Sequence, residues 1–198
     1  MGLEEMIIGL TGTIASGKGE IAEFLKREGY EYLSLSQEVR AEARKRGIEE
    51  TREDLQNLGN AMRAECGAGY WAYRTAERIK AAQEQGKETF VIDGLRNPAE
   101  INALKETLPS FYLVATDAPP KTRFDRIVNI RKRESDLKNY STYEGFLAYD
   151  LRDQGLGEPE DGQQVRRCIS MAHHVLWNDG TLEEFQNEIR LILARSKI

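Results

Sequence analysis

An apolar run followed by a glycine-rich segment near the start of the chain limits the possible folds more than any other feature. The run covers 6–10, and the segment at 12–18 reads Gly-Thr-Ile-Ala-Ser-Gly-Lys. Glycines at these positions let the backbone turn so that successive N–H groups point inward, and the helix that follows adds its positive end. The spacing therefore predicts a loop that binds the phosphates of a nucleoside triphosphate, with Lys18 as a point charge for the terminal phosphates.

Phosphate contacts are predicted for the whole loop and for the first helical turn after it. Ser or Thr usually follows the lysine and holds Mg²⁺ through its hydroxyl, whereas this chain has Gly19. Glu20 either approaches the metal through water or faces solvent on the first helical turn, where the helix dipole favours a carboxylate, and we favour the second interpretation. The predicted triphosphate site comprises Gly12, Thr13, Ile14, Ala15, Ser16, Gly17, Lys18, Gly19 and Glu20.

Composition places the chain among compact water-soluble proteins. Its 198 residues are 40% hydrophobic and 31% charged, which suits one substantial core. No apolar stretch approaches the roughly eighteen residues that cross a bilayer, and no secretory signal is visible, so we expect no membrane association. Cys66 and Cys168 lie far apart in sequence, which favours reduced thiols and a cytoplasmic location. The net charge of −5 argues against nucleic acid as a partner.

Five strand-like runs alternate with helical stretches along the chain. This alternation predicts an α/β fold, in which a central parallel sheet of five strands carries helices on both faces, within a single domain over 1–198. The segment from about 132 to 162 is polar, contains several Tyr and Gly residues and lacks a strong apolar stripe, so we expect a lid there. The predicted strands cover 6–10, 30–35, 89–92, 110–115 and 174–177.

Asp93 ends the apolar run of the third predicted strand. A carboxylate at the carboxyl end of a buried parallel strand lies at the mouth of the sheet, where α/β proteins bind ligands. We favour a role for Asp93 near Mg²⁺, acting through water. A turn or helix-capping role is the alternative, because Gly94 and the Asn97-Pro98 pair follow.

Two other clusters each allow two interpretations. His173 and His174 have no acidic or cysteine partner at ligand spacing and point to opposite faces of a strand, so packing and solvent exposure are favoured over metal binding. A basic cluster within eleven positions forms either a solvated helix face or a phosphate clamp. It comprises Arg123, Arg126, Arg131, Lys132 and Arg133.

The glycine-rich loop, Arg40, the segment Asp93-Gly94-Leu95-Arg96 and the basic cluster together resemble the nucleoside monophosphate kinases, adenylate and cytidylate kinases included. The resemblance implies a three-layer P-loop kinase fold with a small helical lid. The segment at 34–40 is similar to the one after the second strand of that family, whose terminal arginine grips the monophosphate. Asp93 to Arg96 is similar to the strand-end motif that supplies an acid near Mg²⁺ and a further monophosphate arginine.

Two later segments extend the resemblance. The stretch 117–126 is similar to the helix that leads into the lid, and 178–185 is similar to the last loop and helix, whose backbone passes the adenine. The resemblance implies ATP as phosphoryl donor, Mg²⁺, and an acceptor-binding helical region over about 36–85. It implies catalytic roles for Lys18, Asp93, Arg126 and Arg131, ATP contacts for Asn178 and Gly180, and acceptor contacts for Arg40, Arg63 and Arg96.

The chain is still more similar to an archaeal family of uncharacterised nucleotide-kinase-like proteins with Val-Ile-Asp-Gly-x-Arg, Pro-Lys-Thr-Arg-Phe and Gly-Leu-Gly-Glu segments. We therefore expect ATP-dependent phosphoryl transfer to a nucleoside monophosphate or a similar small phosphorylated acceptor. Dephospho-coenzyme A kinase is an alternative, because 9–18 resembles the start of that enzyme, although its Asp-Ala-Asp and His-Pro-x-Ile segments are missing. A nucleotide-dependent regulatory ATPase without a small acceptor is another, kept open by Glu20 and Gln37, which stand where Thr and an acid are usual.

Overall fold

A computed structural model describes residues 6–131 and 140–195 of the chain. The strands are β1 (Met6–Gly12), β2 (Glu31–Ser34), β3 (Thr89–Asp93), β4 (Phe111–Asp117) and β5 (His174–Trp177). The helices are α1 (Lys18–Arg27), α2 (Leu35–Arg46), α3 (Arg52–Cys66), α4 (Tyr70–Gln83), α5 (Pro98–Thr107), α6 (Pro120–Arg126), α7 (Tyr143–Gln154), α8 (Val165–Ser170) and α9 (Leu182–Arg195), and α6 continues into a π-helical turn (Ile127–Arg131).

The five strands pair in parallel in the order β2-β3-β1-β4-β5. β1 lies at the centre, and all seven of its residues are buried. A strand with neighbours on both edges and helices on both faces must be apolar along its whole length, which explains the continuous apolar run at the start of the chain. The predicted five-stranded parallel sheet is confirmed.

Alternate residues of the strands supply two separate cores, one on each face of the sheet. Ile7 and Phe90 belong to the core that packs against α2 to α5, whereas Ile8 and Val91, one position later, belong to the core beneath α1 and α9. Successive side chains of a strand point to opposite faces, so this division follows directly from the sequence. The result is the three-layer arrangement that the α/β pattern predicts.

The carboxyl ends of three strands meet where the glycine-rich loop begins. β1 ends at Gly12, β3 at Asp93 and β4 at Asp117, and the strand order places β3 and β4 on either side of β1. Two strand-end carboxylates therefore flank the loop between β1 and α1. Ligands of open α/β sheets bind at this edge.

The helices α6 and α7 form a small layer beyond this edge. Their contact is an aromatic cluster in which Tyr140 and Phe146 are fully buried and Phe124 packs edge-on against Tyr143. Of the two helices, α7 lies within the segment at about 132–162 where the sequence predicts a lid. Within 6–131 and 140–195, no helix has both the length and the hydropathy needed to span a bilayer.

Candidate active site

The loop between β1 and α1 takes a conformation that needs its two glycines. Gly12 has a φ of 138°, and a Cβ there would lie 2.1 Å from the Thr116 carbonyl oxygen. Gly17 has a φ of 116°, and a Cβ there would lie 2.5 Å from Asn178 Nδ2. Residues other than glycine rarely adopt such positive φ values, and at both positions the neighbouring atoms leave no room for a Cβ. The loop therefore has the tight turn that the G-x-x-x-x-G-K spacing predicts.

Two side chains of the loop point down and bind it to the end of β4 and to its own backbone. Thr13 Oγ1 donates to Asp117 Oδ1 at 2.8 Å, and Ser16 Oγ donates to the Thr13 carbonyl oxygen at 2.7 Å. The Ser16 and Thr116 hydroxyls lie 2.6 Å apart. Because Ser16 is fully buried, its side chain holds the loop from below. Its predicted contact with ATP phosphates stays a prediction.

Lys18 closes the loop on itself. Its Nζ donates to the carbonyl oxygens of Gly12 and Thr13 at 2.6 and 2.7 Å. The ammonium group thus lies over the loop, at the amino end of α1. A phosphate bound to the loop N–H groups at that helix end would lie within its reach.

Arg126 lies beside the loop and is held there by Asn178. Its Nη2 donates to Asn178 Oδ1 at 3.0 Å, and Asn178 Nδ2 donates in turn to the Ser16 carbonyl oxygen at 2.9 Å. Nη1 of Arg126 is buried and has no hydrogen-bond partner among the described residues. Burial lowers the pKa of Arg126 from its usual value, and the charge of Asp179 opposes this shift. An unsatisfied cationic donor beside the loop is suited to phosphate binding.

Asp93 has one paired and one unpaired carboxylate oxygen. Oδ2 accepts a hydrogen bond from Tyr32 Oη at 3.2 Å, while Oδ1 is buried without a partner within the described part of the chain. Burial, with help from the negative charge of Asp93, raises the pKa of Tyr32 to about 12, so Tyr32 remains a donor at neutral pH. A carboxylate oxygen that is free at the strand end fits Mg²⁺, which takes one or two carboxylates and keeps several waters.

Gly19 stands where P-loop proteins usually have the Ser or Thr that binds Mg²⁺, and open space surrounds it. Gly19 is exposed, and a Cβ there would meet no atom within 4 Å. Glu20 is exposed on the first turn of α1, as the helix-dipole interpretation expects.

No group of three or more His, Cys, Asp or Glu side chains arranged to hold a metal ion occurs among residues 6–131 and 140–195. His173 packs instead, with Nδ1 accepting from the Leu113 N–H at 2.8 Å and its ring stacked on Tyr112.

One open cleft of about 1020 Å³ is lined by the loop and by the three arginines predicted to bind an acceptor, Arg40, Arg63 and Arg96, whose part of the cleft we call the acceptor side. The predicted site residues all line it except Ser16, which lies beneath the loop, and Arg131, whose side chain is outside the described part of the structure. The structure therefore brings together at one surface what the sequence distributes over more than 160 positions.

Two of the three predicted acceptor arginines lie at the cleft with their charges partly engaged. Arg40 Nη1 donates to Glu50 Oε2 at 2.9 Å, and Arg44 shares the same carboxylate. Arg96 lies just beyond Asp93. With the Gln163 amide oriented to satisfy both of its neighbours, its oxygen accepts from Arg96 Nη1 at 3.2 Å and its nitrogen donates to Asp153.

Arg63, the third, forms a buried ion pair. Its side chain is 5% exposed, and its Nε and Nη2 donate to Glu100 Oε1 at 2.9 and 2.7 Å. Glu100 Oε2 accepts from the backbone N–H groups of Arg96 and Asn97 at 2.8 and 3.1 Å. Arg63 thus supports the backbone that carries Arg96, a role that the sequence did not indicate. Direct contact between Arg63 and an acceptor stays a prediction.

The position of Arg123 contradicts both interpretations of the basic cluster for this residue. It is neither a solvated residue nor part of a phosphate clamp, because its side chain is 1% exposed and its Nη1 and Nη2 bind both carboxylate oxygens of Asp150 on α7. The pair joins α6 to α7. Lys132 and Arg133 lie outside the described residues.

The last part of the predicted lid is tied to the acceptor side of the cleft. Asn97 Nδ2 donates to the carbonyl oxygens of Glu160 and Gly162 at 2.9 and 2.7 Å, and the Gln164 N–H donates to the Arg96 carbonyl oxygen at 2.7 Å. We call residues 158–164 the strap. Of the lid predicted at about 132–162, residues 132–139 lie outside the described part, and closure over ligand stays a prediction.

Sequence reasoning missed several residues that line the cleft or support the loop beside it. Asp117, which anchors Thr13 and pairs with Arg166 at 3.0 Å, ends β4 as Asp93 ends β3, so the strand-end rule could have found it. Tyr32 and Gln56 carried no comparable signal. Gln56 lies on a helix whose apolar spacing marks only its core face.

Comparisons with known proteins agree with this geometry. The AAA domain family matches residues 11–144 of the chain. A UPF0200 protein of Pyrococcus horikoshii is 33% identical over 192 residues, covering 96% of this chain and 97% of the relative. A UPF0200 protein of Hyperthermus butylicus is also 33% identical, covering 98% of this chain and 96% of the relative.

Solved structures of small-molecule kinases share the fold. Shikimate kinase from Bacteroides thetaiotaomicron superposes with a TM-score of 0.59 at 12% identity, covering 98% of this chain and 99% of that one. A gluconokinase from Sinorhizobium meliloti gives a TM-score of 0.51 at 15% identity, covering 96% and 93%. At such identities the likeness concerns the fold alone, and it confirms the P-loop kinase architecture. By sequence over almost its entire length, the chain belongs to the UPF0200 family, and its fold is that of the P-loop kinases.

Proposed function

We propose that the protein is an ATP-dependent phosphotransferase whose acceptor is a nucleoside monophosphate or a similar small phosphorylated molecule. The observation that carries the proposal is one continuous cleft, lined by the glycine-rich loop and also by Arg40 and Arg96. Asp93 and Arg126 line the same cleft, and each has a buried polar atom, Oδ1 and Nη1, without a partner among the described residues. A hydrolase of free ATP would not need a cationic acceptor end.

The donor end would hold ATP through the backbone. The N–H groups of the loop and the amino end of α1 would bind the phosphates, and Lys18 would exchange the Gly12 and Thr13 carbonyl oxygens for phosphate oxygens. Asn178 and Gly180 line the same end, where the nucleoside would lie. Mg²⁺, when bound, would offset the charge on the reacting phosphates, and Asp93 is the residue that would hold it through water.

In the transfer step, an acceptor phosphate oxygen attacks the γ-phosphorus of ATP. A new P–O bond forms, the bond from the γ-phosphorus to the bridging oxygen breaks, and ADP leaves with that oxygen. Little covalent chemistry falls to the protein, so its task is positioning and charge stabilisation. Arg126, held beside the loop by Asn178, would stabilise the transferred group, and Arg40 and Arg96 would hold the acceptor in line.

A turnover screen tests the proposal directly. ADP formation from ATP and Mg²⁺ would be measured with AMP, CMP, GMP, UMP and dephospho-coenzyme A in turn, and without any acceptor. We expect at least one monophosphate to raise ADP formation well above the acceptor-free rate, with a phosphorylated product seen by mass spectrometry. Activity with dephospho-coenzyme A alone would identify the alternative kinase. An acceptor-free rate that no compound raises would identify a regulatory ATPase and overturn the proposal.

A further inference from the structure

Gln56 is a buried polar residue on the acceptor side of the cleft that none of the roles described so far uses. Its side chain is 7% exposed, it lines the cleft, and its Nε2 has no hydrogen-bond partner among residues 6–131 and 140–195. More than nine in ten buried polar groups in proteins are hydrogen-bonded, so an unpaired amide at a binding cleft calls for a specific explanation.

Its neighbours on the same face of α3 have partners within the protein. Gln56, Gly59 and Arg63 follow one another at spacings of three and four, which puts them on one face of the helix. Arg63 is bound to Glu100, and the Gly59 carbonyl oxygen accepts from Trp71 Nε1 at 3.2 Å. Arg63 and the Gly59 carbonyl group on this face therefore have hydrogen-bond partners, whereas the Gln56 Nε2 donor has none among the described residues.

The surroundings of Gln56 suit the flat faces of a ring. Gly59 contributes no side chain, and a Cβ there would lie 4.0 Å from Val39 Cγ2 and 3.4 Å from Arg63 Nη1. Leu35 and Leu55, the residue before Gln56, line the same cleft. Aliphatic side chains favour an apolar ring surface, and the amide of Gln56 next to Leu55 favours a ring with a polar edge. Arg40 and Arg96 line the same cleft and supply the charge for a phosphate.

We propose that Gln56 recognises the edge of the base of the acceptor nucleoside monophosphate. The inference rests on the proposed function and deepens it, because it names the part of the substrate that this side chain touches. An amide offers one donor direction and one acceptor direction side by side, and the edges of nucleobases carry adjacent donors and acceptors that match such a pair. A phosphorylated sugar without a base offers no planar edge of this kind.

Two substitutions at Gln56 separate recognition from a structural role. Gln56→Met keeps the length of the side chain and removes its hydrogen bonds. We expect the dissociation constant of the preferred monophosphate, measured by calorimetry with AMP, CMP, GMP and UMP, to rise about tenfold or more. The midpoint of thermal unfolding of the ligand-free protein should stay the same or rise, since a buried donor without a partner is removed. A structural glutamine would show the reverse.

Gln56→Glu changes the edge from donor and acceptor to acceptor only. Relative affinity should move toward GMP, because guanine alone presents two adjacent donors, N1–H and N2–H, to a carboxylate. Asn57→Asp is the matched control: it makes the same amide-to-carboxylate change at the next position of α3, where the side chain is exposed. The control should keep the wild-type order of the four monophosphates.

The outcomes distinguish the two proposals. If the wild-type protein binds none of the four monophosphates, the proposed function fails and the role of Gln56 fails with it. If the wild-type protein binds one of them and both Gln56 variants bind it equally well in the same order of preference, the proposed function stands and the inference about Gln56 is wrong. Should Gln56→Met not fold, the order of preference in Gln56→Glu decides alone.

Discussion

At the scale of single residues, the Lys18 ammonium group shows how the loop holds a positive charge against its own backbone. Its ammonium group lies on the carbonyl oxygens of Gly12 and Thr13, which are acceptors that a phosphate can replace. Under the proposed function, this charge would lie where negative charge grows during phosphoryl transfer. Its contribution should appear in the transition state more than in the stability of the fold.

We predict that Lys18→Ala lowers turnover about a hundredfold or more, as the loss of a preorganised electrostatic group does elsewhere. Lys80→Ala is the control, because Lys80 is exposed on α4, outside the cleft. Steady-state kinetics with circular dichroism of each variant measure the effect. Wild-type turnover in a folded Lys18→Ala protein would remove the loop from the mechanism.

Gly19 offers a test of the metal site that adds a group instead of deleting one. A side chain there meets no atom within 4 Å, so Gly19→Ser should fold like the wild type. Its hydroxyl would stand where P-loop proteins usually hold Mg²⁺. We predict that the Mg²⁺ concentration for half-maximal turnover falls by several fold. An unchanged Mg²⁺ dependence would place the metal away from α1.

At the scale of elements, the turn after β3 is held by a relay that starts on α3. Arg63 binds Glu100 on α5, and Glu100 holds the backbone N–H groups of Arg96 and Asn97, where it completes a capping box. Asn97 in turn holds the strap. Three elements therefore fix the backbone that carries Arg96, which is one of the arginines proposed to bind the acceptor.

We predict that Glu100→Gln destabilises the protein by about 3–5 kcal/mol, because it leaves the buried Arg63 charge without its partner. The Michaelis constant for the acceptor should rise more than that for ATP, because Arg96 loses its support. Glu106→Gln, at an exposed position of the same helix, is the control. Denaturant unfolding and two-substrate kinetics measure both effects, and equal changes in the two Michaelis constants would contradict the relay.

The strands were easier to predict from the sequence than the ion pairs of the buried arginines. The apolar runs correctly predicted the five strands, with bounds that lie within two residues of the observed ones. β2 is one residue shorter than predicted at each end, since it begins at Glu31 and α2 begins at Leu35 without a connecting loop. The burial of Arg123 and Arg63 was not predictable. Periodicity shows which face of a helix is buried, but it does not show that Asp150 or Glu100, 27 and 37 positions away, would meet those charges.

At the scale of the whole molecule, three buried polar atoms without partners among the described residues line the same cleft. They are Gln56 Nε2, Asp93 Oδ1 and Arg126 Nη1. Each lies at a different place along the cleft, on α3, at the end of β3 and on α6. The protein without ligand therefore carries the cost of these groups, and a ligand that binds them recovers it.

We predict that ATP with Mg²⁺ at about a hundred times its dissociation constant stabilises the fold by about 2.7 kcal/mol, which for a chain of this size raises the unfolding midpoint by about 5–11 °C. Differential scanning fluorimetry measures the shift. Lys18→Ala should show a smaller shift at the same concentrations. A wild-type midpoint that ATP does not move would argue against nucleotide binding.

The unsatisfied groups of the cleft also bear on how long the protein survives. Proteases cut the fraction of molecules that is transiently open, and that fraction grows as the stability of the folded state falls. Under the proposed function, nucleotide bound in the cleft would supply part of this stability, so the half-life of the protein under limited proteolysis should lengthen with nucleotide concentration. A cell short of nucleotides would then hold less of this protein, without any change in the rate at which it is made.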